Sequence, residues 1–134
     1  MQKTLVFILM IILFVPAVSL GDECVEGDCV NGSGTMLSST GHKYTGEFKN
    51  GVRHGKGVMM LPGGRKIVGV WVENEIREGT FIGSDGSIYE GHWEHRERNG
   101  QGTLTFPDGR KYIGDFKSGQ RHGQGTMTWP DGRV

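Results

Sequence analysis

A motif of 23 residues returns along this chain with its glycines and aromatics at fixed places, and that commits the chain to a repetitive architecture. The copy from Tyr44 carries Gly46, Phe48, Gly51, Gly55, Gly57 and Gly64; the copy from Tyr112 carries Gly114, Phe116, Gly119, Gly123, Gly125 and Gly132 at the same offsets. Between them Tyr89 leads Gly91, Trp93, Gly100, Gly102 and Gly109, while the copy opening at Ile67 has Gly69, Trp71, Gly79 and Gly86 with one residue deleted ahead of Gly79. Four copies therefore span 44–66, 67–88, 89–111 and 112–134. Residues 22–43 read as a degenerate capping copy, because Gly32, Gly34 and Gly41 fall where Gly55, Gly57 and Gly64 fall in the next one. The 24 glycines, against an average share of about 7%, would indicate disorder in a chain without such a period.

Each copy has the signature of two strands. In Tyr44-Thr45-Gly46-Glu47-Phe48-Lys49 the large and small apolar residues alternate with polar ones, the period of a half-buried strand. A second strand follows over Gly57-Val58-Met59-Met60-Leu61, and its apolar counterparts are Phe81, Leu104 with Phe106, and Met127 with Trp129. Pro107-Asp108-Gly109 and Pro130-Asp131-Gly132 supply tight turns, with proline presetting φ and glycine taking a positive one. The fold class is thus all-β, a succession of antiparallel hairpins. Gly46, Gly69, Gly91 and Gly114 sit between two large residues on one face, and the gaps are expected to receive an aromatic from a neighbouring strand. Two aromatics per copy contribute about 8–12 kcal/mol of burial. Ordering the backbone of one copy costs about 1–2 kcal/mol per residue, so a single copy does not fold and stacked copies do.

The first 21 residues follow another logic: Lys3, an apolar run from Leu5 to Val15, then Pro16-Ala17-Val18-Ser19. This is the pattern of a cleaved secretory signal peptide, with an uncleaved anchor or a lipidated Cys24 as alternatives. Eleven apolar residues are short of the roughly 20 that span a bilayer. The expected location is secreted, or periplasmic within a cell envelope. Cys24 and Cys29, projected onto the repeat, bracket the loop of the first hairpin, and a disulfide there would clamp it by about 2 kcal/mol. Two free thiols or a two-cysteine metal site are the other readings.

The run Tyr112-Ile113-Gly114-Asp115-Phe116-Lys117-Ser118-Gly119-Gln120-Arg121-His122-Gly123-Gln124-Gly125, closed by Pro130-Asp131-Gly132, resembles the MORN (membrane occupation and recognition nexus) repeat. The resemblance covers 44–134 well and 24–43 loosely. It implies an elongated, twisted, curved single-layer sheet with aromatics lining one face. The Ile67 copy departs from the pattern, with Ile in place of Tyr and Asn74-Glu75 in place of Asn-Gly, and a locally altered loop is expected there. Members of the family share no single activity: acidic-phospholipid binding has been proposed for some, scaffolding or dimerisation for others.

Catalysis finds no foothold in these residues. His92-Trp93-Glu94-His95 lacks a second cluster to complete a metal site, and His54 and His122 share a loop position of the repeat. No serine sits in a nucleophile elbow, and the Gly-x-Gly pairs lack the lysine and helix of a phosphate loop. Glu47, Glu90 and Asp115, beside Lys49, Lys111 and Lys117, read as a solvated mixed-charge surface. Of 15 basic and 15 acidic residues, Lys3 alone falls in the leader, leaving 14 against 15 and no charge argument for nucleic acid. The expectation is a non-enzymatic exported interaction module without cofactor or metal, binding a protein partner or itself. Its candidate contact residues are Tyr44, Phe48, Trp71, Tyr89, Trp93, Tyr112 and Phe116 on the aromatic face, and Met127 and Trp129, left uncovered at the C-terminal edge. The rival reading is a peripheral membrane module using Lys43, Arg53, Lys56, Lys111 and Arg121. An envelope hydrolase has only the compartment in its favour.

Overall fold

The computed structural model describes residues 21–134, so all of the leader but Gly21 lies outside the described residues. Ten strands follow one another: β1 (Asp22–Gly27), β2 (Ser33–Ser38), β3 (Lys43–Lys49), β4 (Val52–Met60), β5 (Lys66–Val72), β6 (Glu75–Ile82), β7 (Ile88–Glu94), β8 (Glu97–Thr105), β9 (Lys111–Lys117) and β10 (Gln120–Thr128). They form one open sheet in chain order, each strand antiparallel to the next. A 3-10 turn at Pro62–Gly64 is the one helical segment among the described residues.

The register lines up a glycine on every strand. Gly27 faces Gly34, Gly34 faces Gly46, and the row continues through Gly57, Gly69, Gly79, Gly91, Gly102 and Gly114 to Gly125. On this bare strip the tyrosines lie down. A Cβ at Gly102 would stand 2.5 Å from Cε2 of Tyr89, and Gly57 and Gly125 are covered in the same way by Tyr44 and Tyr112. The gaps at Gly46, Gly91 and Gly114 are therefore filled by the tyrosine of their own hairpin, two residues back along the first strand, and not by an aromatic from a neighbouring strand; at Gly69, whose copy has no tyrosine, Ile76 takes that place. The hydroxyls then reach backbone carbonyls on their own strands: Tyr44 donates to Glu47 at 3.0 Å, Tyr89 to His92 at 2.8 Å and Tyr112 to Asp115 at 3.1 Å.

Those carbonyls stand across from a bulge. Between the pairs Gly46↔Gly57 and Phe48↔Arg53, two steps on β3 face four on β4, and the hairpins β7–β8 and β9–β10 repeat this. In β5–β6 one step, Val70 to Trp71, faces two, Glu78 to Ile76. The deletion of the Ile67 copy thus falls in the bulge, and the loop expected to change keeps its geometry. Glu73 and Asn74 have φ of 48° and 70°, as Asn50 and Gly51 have 52° and 76°, the left-handed pair of a two-residue hairpin turn. A bulge absorbs a length change without flipping the register, which a turn of fixed type cannot do.

With the tyrosines down, the second aromatic of each copy closes over them. Tyr44 meets Phe48 and Trp71 edge to face at 5.1 and 5.5 Å, and Tyr89 meets Trp93 and Phe116 at 5.2 and 5.0 Å. Such pairs each add about 0.5–1.5 kcal/mol beyond burial. Trp71 and Trp93 also donate their indole N–H to the carbonyls of Gly57 and Gly79, at 3.4 and 3.3 Å. The opposite face carries a cross-strand row of Thr45, Val58, Val68, Thr80 and Glu90, polar in part and more exposed.

Candidate functional site

Three of the hairpin tips bend back onto their predecessors. Gly51 N–H donates to Val30 O at 2.9 Å, Asn74 N–H to Arg53 O at 3.0 Å and Gly119 N–H to Arg98 O at 3.1 Å. The tips make one rim above the rings, and the inter-repeat turns at the other strand ends make the second. Between the rims runs a groove of about 500 Å³ adjoining another of about 440 Å³, the two sharing His42, Arg53, Met59 and Asn74. Leu61, Ile67, Phe81 and the edges of Trp71 and Trp93 form its apolar floor.

The seven aromatics proposed as contact residues are core. Tyr44, Phe48, Trp71, Tyr89, Trp93, Tyr112 and Phe116 are all at most 9% exposed, so anything in the groove meets their edges and the half-buried residues around them. Met127 and Trp129, expected to be uncovered, are half-buried: Met127 packs against the core and the Arg133 guanidinium sits 5.6 Å from the Trp129 ring. The outer edge of β10 has no strand beside it among the described residues.

Of the arginines that lie over the tyrosine rings, Arg53 and Arg121 entered only the lipid reading, and Arg98 was missed. Arg53, Arg98 and Arg121 stand cross-strand from Phe48, Trp93 and Phe116. Their guanidinium carbons lie 5.9, 5.2 and 5.6 Å from the Tyr44, Tyr89 and Tyr112 rings, and that of Arg53 also 5.0 Å from Trp71, cation–π contacts. In the shortened copy the same position holds buried Ile76. The recurrence of arginine at one repeat position was the available signal. Arg53 is further oriented by Asn74, donating Nε to Oδ1 at 3.2 Å and Nη2 to the backbone O at 3.0 Å. Burial, and next the charge of Arg96, lower its pKa. Burial pushes the Tyr44 phenol up to about 12 and raises that of Tyr89 as well.

Two carboxylates read as merely solvated are fasteners of the bulge. Glu47 accepts the backbone N–H of Lys56 at 2.5 Å, and Asp115 accepts that of Gln124 at 3.1 Å. The Pro-Asp-Gly turn forms as its composition implies: Asp108 accepts Arg110 N–H at 3.0 Å and Nε at 2.7 Å, and Asp131 treats Arg133 alike at 3.2 and 2.7 Å. Cys24 and Cys29 are joined, tying β1 to the loop behind it with Cα atoms 6.0 Å apart. Among the described residues, no group of three or more His, Cys, Asp and Glu stands where it could hold a metal ion. No helix among them is long and apolar enough to cross a membrane.

The five basic residues of the lipid reading do not share a face. Lys43, Lys56 and Lys111 alternate away from the rings along their strands, whereas Arg53 and Arg121 lie over them. In comparison with known families, the MORN repeat model matches residues 44–64, 89–109 and 112–132. The stretch left unmatched between the first two is the shortened copy. No curated protein matches the chain.

Proposed function

We propose that this chain, a MORN-repeat protein, is a non-enzymatic, exported interaction module whose groove over the rings holds a segment of a partner protein or of a second copy. The observation that carries this reading is the groove itself, about 500 Å³ with an apolar floor between two polar rims, which is the general form of a recognition site. The chemistry of the side chains supports a binding role in place of a catalytic one, since the tyrosine hydroxyls and the carboxylates Glu47 and Asp115 are engaged with backbone groups. The Cys24–Cys29 disulfide fits an oxidising compartment.

The test is co-purification from the native cell envelope or medium, comparing the wild type with Leu61→Ser and Phe81→Ser variants whose circular dichroism is unchanged. Loss of the bound partner, or of self-association, in these variants supports the groove. Retention in them together with loss in Met127→Lys, Trp129→Lys would move the site to the β10 edge, whose unpaired backbone favours strand addition.

A further inference from the structure

Resting on the groove reading, we propose that the groove selects an acidic, extended protein segment, with its carboxylates held by Arg53, Arg96 and Arg98 along one rim and Arg65 along the other, and its apolar side chains on the floor. The lining is strongly one-sided in charge: these four arginines and His42 face a single carboxylate, Glu97. The ion pairs of the described residues, Arg77–Glu75, Arg110–Asp108 and Arg133–Asp131, use none of the four.

Arg96 supplies a second, independent observation. It occupies the second place of the β7–β8 turn at φ 64°, where the other three turns have Gly51, Asn74 and Gly119. A bulky side chain is disfavoured in that left-handed conformation, and the turn would form more easily with glycine. Strain of this kind collects where a side chain is wanted for its function. The gain here is a guanidinium on the rim close enough to act on Arg53 more strongly than Asp22 does. Two cations brought together over an apolar floor are relieved when carboxylates enter, and guanidinium–carboxylate bonds are charge-assisted and geometrically selective. An extended segment places alternate side chains on opposite sides, so acidic residues can meet the rim arginines while apolar ones meet Leu61, Ile67 and Phe81.

The experiment uses the mature protein and fluorescence anisotropy with a labelled peptide of alternating glutamate and leucine, its glutamine–leucine counterpart, and vesicles containing phosphatidylserine. Arg96→Gly suits the turn and so removes the charge without loosening the hairpin; Arg98→Gln is the companion variant. The glutamate peptide is expected to bind, to weaken about tenfold in Arg96→Gly, and to bind at least about tenfold better than the glutamine peptide. Equal binding of both peptides, unchanged in Arg96→Gly but lost in Leu61→Ser, would overturn the acidic inference and leave the groove reading standing. Vesicle binding that depends on Arg96, with no Arg96-dependent peptide binding, would overturn it in favour of a lipid surface. Absence of any peptide binding would overturn it too, and the groove reading would then be judged separately by the co-purification of Leu61→Ser and Phe81→Ser.

Discussion

Replacing Gly102 with alanine tests the packing principle of the whole sheet. The new methyl group would sit 2.5 Å from Cε2 and 2.6 Å from the hydroxyl oxygen of Tyr89, a side chain with no exposed surface. The ring has to move. Complete expulsion would forfeit about 2–3 kcal/mol of burial, about 1 kcal/mol for the hydroxyl bond to His92, and about 1 kcal/mol for each of the contacts with Trp93 and Phe116. Partial relaxation and the smaller entropy of the unfolded alanine chain, about 0.4–1 kcal/mol, reduce the expected destabilisation to about 3 kcal/mol. Urea unfolding followed by tryptophan fluorescence measures it. The decisive comparison is with Tyr89→Ala, which alone should cost about 3–5 kcal/mol. In that background the added methyl meets an empty site, so Gly102→Ala should become nearly neutral, a coupling of about 3 kcal/mol. Equal cost of Gly102→Ala with and without the ring would refute the argument and assign the glycine to close backbone approach instead.

Arg96→Gly should raise stability by about 1 kcal/mol through relief of the left-handed arginine, read as a higher thermal midpoint; a lower midpoint would mean that the side chain is held for structure. Reducing the Cys24–Cys29 bond should cost at most about 2 kcal/mol and loosen only the first hairpin, visible as faster hydrogen exchange in β1 and β2 while β7–β9 stay protected. Tyr44 ionises at about 12 in the folded chain against about 10 unfolded, so its neutral form contributes fully below about pH 10 and the contribution fades as pH rises towards 12. Tyr44→Phe should flatten that alkaline loss in a series of thermal melts at increasing pH.

The period, the strand alternation and the Pro-Asp-Gly turns were legible because each is set by residues close together in sequence. Register was not. That Gly46 would face both Gly34 and Gly57 depends on the bulge, whose place is marked by Gly55 with Gly57 as glycines flanking a strand start, but whose two extra residues among His54, Gly55 and Lys56 are not counted by that mark. Without the glycine row the tyrosines cannot be seen to lie flat, and upright rings read as an open aromatic surface when they are core. The shortened copy misled for a related reason: a deletion beside Glu75 looks like a changed turn, yet it is the bulge that gives way. Arg53 and Arg121 were read as lipid contacts and Arg98 was passed over, and only the folded strands show that this repeat position overhangs the rings.

Because the strands pair strictly in chain order, the molecule is additive along one direction. A whole motif inserted or removed between two others would leave every remaining neighbour with the same kind of partner, as in one-dimensional arrays generally. The length of the groove can therefore change in whole-hairpin steps through duplication or loss of a stretch of gene, with no redesign of the existing floor or rims. The shortened copy, which reads as an interruption of the pattern, is the step most easily told apart from the rest, since it substitutes an aliphatic Ile76 for an arginine over the rings. It gives an otherwise uniform track a marked position.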